Sequence, residues 1–361
     1  MKKSLQIAGA YIGLIVGAGF ASGQEVLQFF TSFGWYGILG AIIATFLFAF
    51  LGMQIMQLGS HLQTTSHKEV VYKICGKYIG TGVDILVTFF LFGVAVVMIA
   101  GSGSIFEQQF GIAPVIGNLI LTFLVIGTLC LNVKNVISII SIISPFLLIL
   151  IFIITGYSIL TSSTSLNELD MIASTQPSAA PNWLVGGLLY VSYNIAAGIS
   201  MLAVIGGTEK NEKIASRGGL LGGIGLGLLL LLINLGLFMN ADHIIGADMP
   251  TLMLATEISP IVGILMSIAL LGMVFNTAVG MLYAFTARFV KPETPRFKFS
   301  VVGISLLAFG ASFVGFTTLV GTVYPITGYL GSVLIIAIIV SWITARRNNK
   351  LKKDLSEKKA F

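Results

Sequence analysis

Residues 9–25 read Gly-Ala-Tyr-Ile-Gly-Leu-Ile-Val-Gly-Ala-Gly-Phe-Ala-Ser-Gly-Gln-Glu, and this run holds the groups with the most chemistry to offer. Gly17, Gly19 and Gly23 fall within an otherwise apolar stretch, Ala18, Phe20 and Ala21 filling the gaps. Each glycine weakens a helix by up to about 1 kcal/mol relative to Ala, so the spacing predicts a break. In lipid a broken helix is tolerated only where it lines a cavity, because unpaired backbone groups are costly there. The carbonyls ending the first half, near Gly13 and Val16, then suit a cation. Ser22 and Glu25 have capping-box spacing, which predicts a second half-helix from about residue 22 with Glu25 folded back to the Ser22 amide. The amides of Ala21, Ser22 and Gly23 would face a substrate carboxylate. Glu25 itself is either a structural cap or a group that also meets a substrate ammonium or carries a proton. An ionised acid at this depth costs about 3 kcal/mol on insertion scales, so it must face protein or water.

A second cluster runs from Tyr190 to Ser200 and includes Tyr193, Asn194, Ala197 and Gly198. Isolated, such polar residues hold helices together; paired with the first break, Asn194 and Gly198 predict a second unwinding point that lines a site. Asn276 and Thr277, with Ser267 higher, either bond neighbouring helices or complete an oxygen-only pocket for a hard monovalent cation. Tyr324 precedes Pro325 and either gates or packs, and the glycines at 218, 219, 222, 223, 225 and 227 read as close helix contacts.

The elements that must position these groups are membrane helices. Of the 361 residues, 56% are hydrophobic and 9% charged, against roughly 25% charged in a soluble domain. Ten apolar segments run 5–30, 34–59, 81–106, 114–131, 135–160, 183–206, 217–240, 258–286, 299–315 and 318–344. They form a transmembrane domain over 1–345, with a basic tail at 346–361. With the N-terminus inside, all 20 Lys and Arg fall on the cytoplasmic side, Lys134 among them, which places both termini in the cytoplasm. The net charge of +6 therefore marks membrane orientation rather than nucleic-acid binding. Lys2, Lys3 and the apolar run after them resemble a signal peptide, but the run leads into a second span rather than a hydrophilic mature chain. Segments one to five map onto six to ten at offsets near 180 residues, and five spans per half makes the repeat inverted, 5–160 and 183–344. The link at 241–257 carries Asp248, Met249 and Pro250 and predicts a short capped helix across the outer mouth. Thr81 and Asp84 have capping-box spacing of their own. Cys75 and Cys130 lack metal-ligand spacing, and His61, His67 and His243 are scattered.

The segment Gly17-Ala18-Gly19-Phe20-Ala21-Ser22-Gly23-Gln24-Glu25, within ten spans, resembles the YkvI-type family of bacterial membrane proteins. These are similar to the amino acid/polyamine/organocation superfamily. The resemblance implies an all-α integral membrane protein with the five-plus-five inverted repeat of the leucine-transporter fold and broken first and sixth helices that hold the substrate. It places Gly13, Val16, Asn276 and Thr277 at the superfamily's common sodium position, although Asn276 stands where a hydroxyl is usual, and segment five has no Lys to replace sodium. The function expected is secondary transport of a small zwitterion, an amino acid above all, coupled to sodium or a proton by rocking spans one, two, six and seven against the rest. A solute sensor without transport is the alternative. A membrane enzyme would need a catalytic cluster at one interface. No cofactor beyond a coupling ion is expected. The partners are the solute and the plasma-membrane bilayer, with no nucleic acid and the oligomeric state unassigned.

Overall fold

A chain this apolar keeps its backbone satisfied in lipid by forming helices. The structure, a computed structural model, describes residues 1–64, 67–131, 136–292 and 294–358, and among these every regular element is helical. Lys134 lies outside the described residues, as do the side chains of His67, Lys68, Lys73, Cys75, Lys77 and the basic tail.

The first apolar segment is three short helices, α1 (Lys2–Ile15), α2 (Ala18–Ser22) and α3 (Gln24–Phe29), followed by a single 3-10 turn at Thr31–Phe33. Segments two to five are α4 (Trp35–Leu62), α5 (His67–Phe110), α6 (Pro114–Leu131) and α7 (Val136–Thr161). A short helix, α8 (Leu166–Ala173), leads to α9 (Trp183–Gly207) and α10 (Glu212–Phe238). Then come the short α11 (Pro250–Ile258), α12 (Pro260–Phe289), α13 (Pro295–Ser312) and α14 (Phe316–Lys358). Each of the ten apolar segments is thus occupied by helix. By length and hydropathy five helices suffice to cross a membrane among the described residues, and a sixth counts when both limbs of the bent α9 are joined.

Helix starts follow local chemistry. Asn182, Asn211, Ser259 and Thr294 accept the amide hydrogens of Val185, Lys213, Ile261 and Phe297, so α9, α10, α12 and α13 each begin on a side-chain cap. Pro250 opens α11 at a position where its missing N–H costs nothing. One expectation is corrected. Thr81 and Asp84 do not cap a helix, because α5 already runs through them from a kink at Gly76; Asp84 instead accepts from Arg288 Nη1 at 3.2 Å, tying α5 to α12. The basic stretch after 345 continues the last helix as far as Lys358.

Two groups of helices emerge. In one, α10 packs against α1 and α4, and α4 against α9; in the other, α5, α6, α12 and α13 pack on one another. The glycines of α10 explain how tightly the first group closes. A Cβ on Gly219 would lie 2.4 Å from the Gly52 carbonyl oxygen, and one on Gly223 would lie 2.4 Å from the Ala49 backbone. Gly59 and Gly206 make the same kind of contact between α4 and α9. Only small residues let helix backbones approach this closely.

Candidate substrate site

The first segment breaks at its glycines, and it breaks twice. Val16 and Gly17 are extended between α1 and α2, and Gly23 takes the left-handed conformation at φ 81° between α2 and α3, which glycine adopts without a Cβ penalty. Because α3 starts at Gln24, Ser22 lies one residue too early to be its N-cap. The Ser22 hydroxyl donates to the Gly19 carbonyl at 2.8 Å and accepts from the Gln24 amide at 3.2 Å, bridging the second break. The expected return of Glu25 to the Ser22 amide does not occur, since the left-handed turn points the Glu25 side chain elsewhere. Nor are the amides of Ala21 and Gly23 free for a carboxylate: they donate to Gly17 O at 3.0 Å and Phe20 O at 3.2 Å.

The Glu25 carboxylate is 6% exposed and sealed by aromatic residues. Its Oε2 accepts the Tyr193 hydroxyl of α9 at 2.5 Å. Tyr324 of α14 stacks on Tyr193 beside this side chain. Its Oε1 rests against α2, 1.8 Å from where a Cβ on Gly19 would stand. The Tyr193 and Tyr324 rings stack at 4.8 Å and 9°, with Phe90 of α5 at 6.3 Å and 6.4 Å from them and Tyr190 edge-on to Tyr193 at 5.4 Å. Four elements, α3, α5, α9 and α14, therefore converge on one acid. Phe90 is the contributor the sequence did not single out, because one Phe among many in an apolar run carries no signal. Ala18, Phe20, Ala21 and Ser22 are buried around the same turn, and Gly17 is half-buried.

The second cluster behaves differently. Through Asn194, Ala197 and Gly198 the helix is continuous, so the break expected in this segment falls just past Gly198 instead, where Trp183–Ile199 and Met201–Gly207 diverge by 56°. The reason is local. The Asn194 amide donates to the Tyr190 carbonyl one turn back at 2.9 Å, so its polar group serves the helix it sits in. Gly198 supports the end of α1, a Cβ there meeting Ile15 Cδ1 at 3.0 Å.

The residues expected to hold a cation stand on separate supports. The last α1 hydrogen bond runs from Val16 N–H to Ile12 O, which leaves the carbonyls from Gly13 onward past the end of the ladder. Gly13 is exposed, with nothing within 4 Å of a Cβ built on it. Asn276 and Thr277 are half-buried on α12, and among the described residues neither side chain makes a hydrogen bond. α12 meets the broken segment at α2, whereas α1 packs on α10 and α9.

A polar clasp holds the broken segment at the end away from the N-terminus. Asp248 accepts Ser104 Oγ of α5 at 2.6 Å and the Thr317 hydroxyl of α14. Thr317 in turn accepts Gln24 Nε2 at 3.2 Å and, through its carbonyl, Gln28 Nε2 at 3.0 Å. Thr251 Oγ1 donates to Ala21 O at 2.6 Å, and Gln108 clips the Met249 backbone in both directions. Asp248 therefore serves this clasp rather than capping α11.

No protein-family model matches the chain. It is 27% identical over 343 residues to the uncharacterized membrane protein YkvI of Bacillus subtilis (strain 168), covering 95% of this chain and 97% of that one. It is 26% identical over 333 residues to YyaD of the same organism, covering 91% and 94%. The YkvI-type resemblance thus spans nearly the whole of both chains. Among solved structures the fold is similar to MhsT in complex with L-phenylalanine, with TM-score 0.62, 15% identity, 94% of this chain and 98% of that one. It is similar also to the inward-facing conformation of Mhp1, with TM-score 0.58, 15% identity, 96% and 77% coverage. A manganese transporter of Eremococcus coleocola follows at TM-score 0.57, 13% identity, 91% and 76% coverage. The fold is therefore the leucine-transporter type, and the chain is a multi-pass membrane protein.

Proposed function

We propose that this chain is a secondary transporter of a small solute bearing an ammonium group, with zwitterionic amino acids the class its sequence points to. Transport is coupled to sodium or a proton by alternating access. The frame of the reading is ten spans in two inverted repeats, in the plasma membrane, with both termini cytoplasmic. One observation carries it: a buried acid, Glu25, held beside a twice-broken helix by Tyr193 of α9, on which Tyr324 of α14 stacks. Burying an acid costs stability, so its retention at a break marks a solute or ion path. In this reading the closely packed α1, α4, α9 and α10 rock as one body against α5, α6, α12 and α13. The solute ammonium meets Glu25, and Tyr193 and Tyr324 open and reclose over it. The coupling cation binds the carbonyls ending α1 together with Asn276 and Thr277, or is a proton on Glu25 itself.

Proteoliposomes test this. Solute should accumulate when a sodium or proton gradient is imposed and should stop when the gradient is collapsed. Glu25→Gln should abolish gradient-driven uptake in protein that still folds. Saturable binding without flux would favour a sensor.

A further inference from the structure

The clasp around Thr317 gathers more acceptors than the chain supplies donors for. Asp248 is a half-buried acid whose oxygens accept two hydroxyls, Ser104 Oγ at 2.6 Å and Thr317 Oγ1. No basic side chain balances its charge. Residues 4–67, 78–133, 218–287 and 299–345, from which the clasp is built, contain neither Lys nor Arg, and His243 faces Glu257 and Asp242 instead. Gln24 and Gln28, one turn apart on α3 and each 1% exposed, both reach Thr317. Their orientation is forced. The Thr317 carbonyl can only accept, so Gln28 must offer it Nε2; the Thr317 hydroxyl gives its one proton to Asp248, so it too can only accept, from Gln24 Nε2. Gln24 Oε1 and Gln28 Oε1 are left as buried acceptors, and neither has a hydrogen-bond partner among the described residues. Buried polar atoms in folded proteins are otherwise paired. Gly321, one turn along α14, keeps the space beside Gln28 Oε1 clear, since a Cβ there would lie 2.9 Å from it.

We infer that the clasp binds a monovalent inorganic cation, sodium or potassium, through Gln24 Oε1, Gln28 Oε1 and Asp248. Amide and carboxylate oxygens suit hard ions. One carboxylate balances one positive charge, whereas affinity for divalent ions is set by how many charged ligands the site gathers. The site shares no residue with Gly13, Val16, Asn276 and Thr277, so its ion is additional to the coupling cation. Bound there, the ion joins α3 to α14 and to the link before α11, and so fastens the second limb of the broken segment.

The test uses the full chain in detergent, kept in N-methyl-D-glucamine chloride at constant ionic strength and titrated with sodium, potassium, magnesium or calcium chloride while its melting temperature is followed. A ligand of the folded state raises that temperature with concentration. Sodium or potassium should raise it saturably, and the divalent salts should not match them. Gln28→Lys places an ammonium in the clasp, so its melting temperature without alkali cation should equal or exceed that of the wild type with it, and the response to salt should vanish. Asp248→Asn should shift the response to at least about tenfold higher concentration, and decides the matter if Gln28→Lys does not fold. Asn276→Ala, which removes a ligand proposed for the coupling cation, should leave the response in place. A flat titration of the wild type overturns the inference, as does a response to the divalent salts alone. A response that Asp248→Asn and Gln28→Lys leave unchanged, or that Asn276→Ala abolishes, assigns the ion elsewhere and overturns it too.

Discussion

Two stretches, residues 16–25 and 190–201, start from similar material: small residues, glycines and a few polar side chains in an apolar helix. In the first, Val16, Gly17 and Gly23 leave the helical conformation, and Ser22 bonds to groups on both sides of the second break. In the second, Asn194 bonds back within its own turn, the helix continues through Ile199, and the direction changes by 56° just after it. A polar side chain thus mends a helix when its partner is one turn back on the same rod, and stabilises a break when its partners lie across it. Glycine count alone does not separate the cases; the left-handed Gly23, which returns the chain at a new angle, does.

Replacing the paired glycines should expose this difference most strongly. Gly19→Ala puts a methyl on the Glu25 carboxyl, which swings aside, and uptake should fall by at least about tenfold with little loss of folding, since a carboxyl group is a movable obstacle. Gly198→Ala meets only the tip of Ile15 at 3.0 Å and should keep uptake within about twofold. Equal effects in a transport assay would erase the distinction between the two stretches. Next in size, Gly23→Ala forces a left-handed residue with a Cβ against Thr251 and should cost about 1–2 kcal/mol, read as a melting temperature lower by several degrees in detergent. Smallest, Asn194→Ala removes one helix-internal hydrogen bond and should cost about 0.6 kcal/mol, a shift near the resolution of the same melting experiment. A larger loss at Asn194 would mean that its amide works across helices after all.

Much of this was legible beforehand. The ten helical segments follow from hydropathy because lipid leaves the backbone no other solution, and the first break follows from Gly17, Gly19 and Gly23. The direction in which Glu25 points was not legible. Capping-box spacing describes a helix that starts at Ser22, and one left-handed residue moves the start to Gln24. Tyr193 and Tyr324 were visible as polar aromatics, but no spacing rule brings residues 168 and 299 positions away onto Glu25. The clasp at Asp248 is hidden for the same reason, since Ser104, Gln24 and Thr317 come from three elements.

The seam between α4 and α10 has a mechanical corollary. Where Gly219 meets Gly52 and Gly223 meets Ala49, main chain lies on main chain, with no side-chain rotamers between them to absorb displacement. A push at one end of such a joint arrives undiminished at the other, as in a rigid lever. Swapping a seam glycine for a bulkier residue far from any solute should therefore alter turnover by inserting slack.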